Sequence, residues 1–171
     1  MSTGDARRAL VAIALSLGCA SARPQGVADL PLRTLEAPRF QRAVQEALDA
    51  RGLQLAPGRR VRIASRREVA CAACVAGTQH CVAFVTTADR ATLGPFLPQR
   101  AEPGVIVSAP GTESDRGAQV LVLDEEDLRY QPDPSRASAA EPTVTEIEDR
   151  VRRAVLDWLA WLASQASLPA R

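Results

Sequence analysis

Three cysteines and the only histidine of the chain fall within one short stretch, Cys71-Ala-Ala-Cys74 followed by His80-Cys81. Four kinds of chemistry use those residue types. A Cys-x-x-Cys pair can cycle between dithiol and disulfide, provided that a helix N-terminus or a neighbouring cation lowers the thiol pKa. Covalent haem attachment needs His directly after the second Cys, and Val75 stands there instead. Zinc takes four Cys or His side chains in a tetrahedron, and Cys71, Cys74, His80 and Cys81 supply the types. Neighbours in an extended strand point to opposite faces, so His80 and Cys81 do not converge readily on one ion, and no metal or other cofactor is expected. The remaining use is a structural disulfide. A hydroxyl such as Ser65 or Thr78 could pair with His80 for nucleophilic catalysis. No Gly-x-Ser-x-Gly elbow, phosphate loop or paired-acid constellation accompanies them.

The elements around the segment decide between these uses. Val61-Arg62-Ile63 alternates as a short strand, and Ser65 with Glu68 has the spacing of a capping box, which predicts a helix over 66–76 stopped by Gly77. Cys81-Val82-Ala83-Phe84-Val85-Thr86 is rich in β-branched residues and predicts a central strand. Cys71 and Cys74 then lie inside the helix, where β-carbons three residues apart are about 5–6 Å from each other, beyond the roughly 3.5–4.5 Å of a disulfide. Thioredoxin-like oxidoreductases place their Cys-x-x-Cys at a helix start, after an aromatic residue. Here Ala70 precedes Cys71 and six residues separate it from the strand. The expected bond is Cys74–Cys81, with Cys71–Cys81 as the second choice and a redox-active Cys71–Cys74 pair as the alternative function.

The rest of the chain frames this centre. Phe40, Ala43, Val44, Ala47 and Leu48 recur at helical spacing and predict a helix over 39–51, ended by Gly52. Asp89 can cap a single helical turn. Two further strands are expected at 105–108 and 119–123, joined as a long hairpin. Asp124-Glu125-Glu126-Asp127 would bind a cation only if its carboxylates converged, and a consecutive run on a turn spreads them. Residues 131–142 read as a Pro/Ala/Ser linker. The longest helix is expected over 145–166, with Thr145 and Glu148 as its capping box and Ile147, Val151, Val155, Trp158 and Leu162 as its core stripe. Leu156 and Trp161 lie off that stripe and are the candidates for contact with a partner.

The formal charge is +1, from 21 basic and 20 acidic residues, and every basic residue is Arg. That balance gives no basic field of the kind nucleic acid attracts, and strand and helix geometry should scatter Arg59, Arg60, Arg62, Arg66 and Arg67 over several faces.

At the N-terminus two arginines precede Ala9-Leu10-Val11-Ala12-Ile13-Ala14, an uncharged run too short to span a bilayer. The run ends in Leu15-Ser16-Leu17-Gly18-Cys19, which resembles the lipobox of bacterial lipoproteins. The resemblance implies a signal peptide over 1–18 and diacylglycerol on Cys19. It also implies fatty acylation, palmitate among the chains, of the new amino group, and hence attachment to the membrane. Ala20 after the modified Cys resembles the sorting pattern for the outer membrane, periplasmic face. An ordinary secretory cut after Ala20 or Ala22 is the alternative. Residues 19–37 then read as a tether, within which VADLPLRTL could add an edge strand, and 38–171 as a single domain.

The order of elements predicts an α/β (α+β) domain, a mixed sheet of about four strands packed by two or three helices. Its first half, FQRAVQEALDARGL leading into VRIASRREV, is similar to small α/β modules of envelope lipoproteins. These are the curli-secretion lipoprotein, the activators of penicillin-binding proteins and the amino-terminal domain of the Tol-Pal translocation protein. The similarity implies the fold and brings no functional residue. The function expected is that of a non-catalytic lipoprotein meeting an envelope protein partner, with an envelope thiol-disulfide oxidoreductase as the alternative.

Overall fold

The computed structural model describes residues 31–100, 105–133, 141–166 and 168. The expected signal peptide over 1–18, the lipidation site Cys19 and most of the linker at 131–142 lie outside them. The chain forms the expected α+β architecture, with a mixed sheet at its centre and a long C-terminal helix.

Helix α1 (Ala37–Asp49) starts with Pro in its first turn, where a missing N–H costs nothing. Its buried residues are Phe40, Ala43, Val44, Ala47 and Leu48, the face its spacing predicts. Gly52, at φ 67°, takes the left-handed conformation that closes the helix end. Just before it, β1 (Arg33–Thr34) pairs with β9 (Arg129–Tyr130), and Leu35 is buried beside them.

The expected helix over 66–76 is not formed. The chain runs instead through β2 (Leu55–Pro57) into a hairpin of β3 (Arg60–Ala64) and β4 (Arg67–Ala70), then into β5 (Ala73–Val75). Ser65 and Arg66 make the two-residue turn between Ala64 and Arg67, with Arg66 left-handed at φ 59°. The physical reason lies in the apolar period. Val69, Cys71, Ala73 and Val75 recur at every second residue and all are buried, which is strand spacing. Glu68, read as a capping residue, instead accepts a bond from Arg62 across the hairpin at 3.1 Å.

The main sheet has the order β2-β5-β6-β8-β7, with β6 (Cys81–Val85), β7 (Ser108–Pro110) and β8 (Gln119–Asp124). Among the described residues only β6 and β8 are parallel neighbours, and α2 (Thr87–Leu93) lies in the connection between them. β7 and β8 form the expected long hairpin, with β7 starting at Ser108 rather than Val105. Thr86 caps α2, and Asp89, expected at the cap, sits three residues on and completes the box.

Side chains alternate between two cores. Val75, Val82 and Leu121 face α1 and α3 (Val144–Ser164). Cys74, Cys81, Ala83, Val85, Val120 and Val122 face the β3–β4 hairpin, whose Val61, Ile63 and Val69 close over them. The predicted stripe of α3, Ile147, Val151, Val155, Trp158 and Leu162, is wholly buried. Its capping box is Thr143 with Glu146, two residues before the expected pair. Glu148 is thereby free to accept from Arg39 of α1 at 2.9 Å.

Candidate functional site

The backbone crosses from the hairpin layer to the sheet layer at Cys71-Ala72. The Cys71 N–H donates to Arg59 O and the Ala72 N–H to Val82 O, both at 2.9 Å. Gly58 lies against this crossing: a β-carbon there would stand 2.0 Å from the Cys71 carbonyl oxygen. The corner brings both cysteines of the Cys-x-x-Cys motif into one apolar cluster, with Cys81.

Their states differ. Cys74 is bonded to Cys81, its direct cross-strand partner, with the two Cα atoms 3.9 Å apart. Cys71 is a free thiol and is buried. Burial pushes its pKa up from 9.0 to about 12; Arg59 pulls it down by less, and Asp115 adds to the rise. A thiol becomes a nucleophile or a metal ligand only as thiolate, the form that this burial disfavours. Neither the Cys71–Cys74 pair of the redox reading nor the Cys71–Cys81 bond is formed.

His80 is buried on the opposite side of β6 and packs edge-on to Trp158, ring centroids 6.3 Å apart. Its Nδ1 accepts the Gln119 N–H at 3.1 Å, which fixes the start of β8. Thr78 Oγ accepts the His80 backbone N–H and donates to Val75 O, a turn rather than a nucleophile–base pair. Ser65 is in the exposed hairpin turn. Among the described residues no three His, Cys, Asp or Glu side chains gather as a metal site.

The arginines disperse into separate contacts. Arg59 meets Asp115 at 2.5 Å, Arg62 meets Glu113 at 2.8 Å, and Arg67 stacks over Phe96. Asp115 also accepts the Arg62 backbone N–H, the largest of the causes that hold its carboxyl below the usual range. The 3₁₀ turn Glu113–Asp115 is thus clamped onto β3 beside Cys71. The acidic run divides likewise. Asp124 takes a two-pronged bond from Arg90, Glu125 accepts from Thr87 and Thr34, and Glu126 and Asp127 share Arg100. These contacts join residues at least 26 apart in the chain, and no local spacing announces them.

Leu156 and Trp161 are both partly buried against the helix-side core. Trp161 also lines a shallow groove with Ile106, Ser108, Pro110 and Gln119 at the β7 edge. A cavity of about 410 Å³ shares Ile106 with it and lies between α3 and the end of β8. Missed in the sequence was the joint role of the 105–107 segment and α3 in forming these concavities.

No family model matches the chain, and neither the curated proteins nor the solved structures include a significant match.

Proposed function

We propose that the protein is a lipid-anchored envelope lipoprotein whose α+β domain is a non-catalytic interaction or assembly module at the periplasmic face of the outer membrane. The observation that carries this reading is Leu15-Ser16-Leu17-Gly18-Cys19 after a short apolar run. The Cys74–Cys81 disulfide supports it, because such bonds persist in oxidising compartments. A buried, protonated Cys71 beside a committed Cys74 supports an interaction role over thiol exchange. The partner reached in the envelope would be a protein and not nucleic acid. Two acyl signals together give stable attachment where one chain gives only marginal binding. The test is Cys19→Ser expressed in a Gram-negative host with radiolabelled palmitate. Loss of label together with release from the membrane fraction is expected, and undiminished label or membrane retention would sink the proposal.

A further inference from the structure

We propose that the protein self-associates through the face shared by α3 and the β7 edge, with α3 antiparallel to its copy across a two-fold axis. The proposal is independent of the lipid-anchor reading. Two helices about 8–10 Å apart cover about 20 Å of sheet, whereas five strands at about 4.8 Å span about 24 Å. Among the described residues α1 packs on β5 and α3 on β8, and β7 meets α3 only at a groove that Trp161 lines with Ser108 and Pro110. The cavity lies beside it, lined by Ile106, Leu121, Leu123, Val151, Ala154 and Asp157. Val105, 59% exposed, stands at its rim.

The occupant is argued from charge. Arg150, Arg153, Ala154, Asp157 and Trp161 form one stripe of α3, about 16 Å long at 1.5 Å per residue. Asp157 has no hydrogen bond or ion pair among the described residues, and Arg153 makes only a 3.4 Å bond to the Asp149 carbonyl. Along it Arg150 and Arg153 precede Asp157 and Trp161, and Arg150 also donates to the Asp127 carbonyl oxygen at 2.7 Å. An antiparallel copy pivoting near Val155 sets Arg153 opposite the Asp157 of the second copy, and the reverse pair forms by symmetry. It also brings Arg150 to the ring of Trp161 in the second copy. Such self-complementarity is what a two-fold interface requires.

The sheet edge fits the same axis. The Val122 N–H donates to Val107 O at 2.9 Å, and ladder alternation therefore turns the N–H and C=O of Ile106 and Ser108 outward. Two such edges meeting would place the β8 strands about 14 Å apart, three strand spacings. Arg150, Arg153 and Trp161 are large enough to fill the space above.

Sedimentation equilibrium of the full chain in density-matched detergent tests the proposal. A concentration-dependent monomer–dimer equilibrium is expected. Arg153→Asp and Asp157→Arg should each weaken it by about a hundredfold, since each sets like charges together twice. Mixing the two variants should restore association, because the mixed dimer regains both opposite-charge pairs. Should either reversal fail to fold by circular dichroism, Arg153→Gln and Asp157→Asn read the same contact with a loss of about tenfold. A wild type that stays monomeric throughout the micromolar range, or a dimer indifferent to these substitutions, overturns the proposal. Folded reversal variants that do not associate when mixed overturn it equally.

Discussion

Cys74 and Cys81 face each other across the antiparallel strands β5 and β6, so their bond joins two strands already paired by the backbone ladder. It does not join a helix to a strand. The loop it closes is short, and the chain-entropy effect of such a loop is about 2–3 kcal/mol. Replacing both residues by Ala should lower the urea-unfolding free energy by about that amount and leave the circular dichroism spectrum unchanged. Peptide mapping without reductant should recover the Cys74–Cys81 linked pair and a separate Cys71 peptide.

Cys71 makes stability depend on alkaline pH. A thiol with pKa 9.0 in the unfolded chain and about 12 in the folded one retains its proton longer when folded. Its contribution is fully present below pH 9 and is lost as pH rises toward 12, because the unfolded chain then binds fewer protons. The unfolding free energy should therefore fall above pH 9, and Cys71→Ala should flatten that fall. Native protein should resist iodoacetamide at Cys71 and react after unfolding.

Gly58 is the sharpest steric constraint near the cluster. In Gly58→Ala the new β-carbon would meet Cys71 O at 2.0 Å and the Ala72 carbonyl carbon at 2.8 Å, both backbone. The layer crossing must shift to admit it. A loss of about 2–4 kcal/mol is expected, the range of strongly disruptive substitutions. A midpoint within the error of wild type would show that the crossing is not held there.

Arg90 holds the Asp124 carboxylate at the end of β8 through bonds of 3.0 and 2.6 Å, and its third nitrogen donates to Pro98 O at 2.7 Å. Arg90→Ala leaves a buried carboxylate without its cation and should cost about 3 kcal/mol. The double variant Arg90→Met/Asp124→Leu should recover much of that loss, since the stranded charge is gone. Thermal unfolding of the three proteins distinguishes these outcomes.

What the sequence revealed follows the length of each pattern. The stripe of α3 repeats five times, and the face of α1 was visible through the same repetition. β6 was legible because Val82, Phe84 and Val85 leave little choice but a strand. Over 66–76 two patterns overlapped: a capping-box spacing and Ala-rich composition favoured helix, while Val69, Cys71, Ala73 and Val75 alternated. Pairing with strands outside the segment settled it, as Val61 faces Val69 and Leu55 faces Val75. At α3 two Thr-x-x-Glu spacings competed, and Arg39, more than a hundred residues away, takes Glu148. The Cys74–Cys81 pair was reachable from sequence order, but its cross-strand geometry was not, because that depended on β5. The groove beside α3 depends on how many strands two helices can cover, a property no local pattern encodes.

The joining of distant segments has a kinetic meaning. β6 lies beside β8, thirty-nine residues on, and Leu35 donates to Leu128 while Arg39 reaches Glu148. Contacts of such separation slow folding, since the entropy of closing the intervening loop is lost before the contacts offset it. The run from β3 to β6 can assemble from near neighbours, including its disulfide. α1 then has no helix beside it until α3 is available, so the earliest compact species should expose Phe40 and Val44 to solvent.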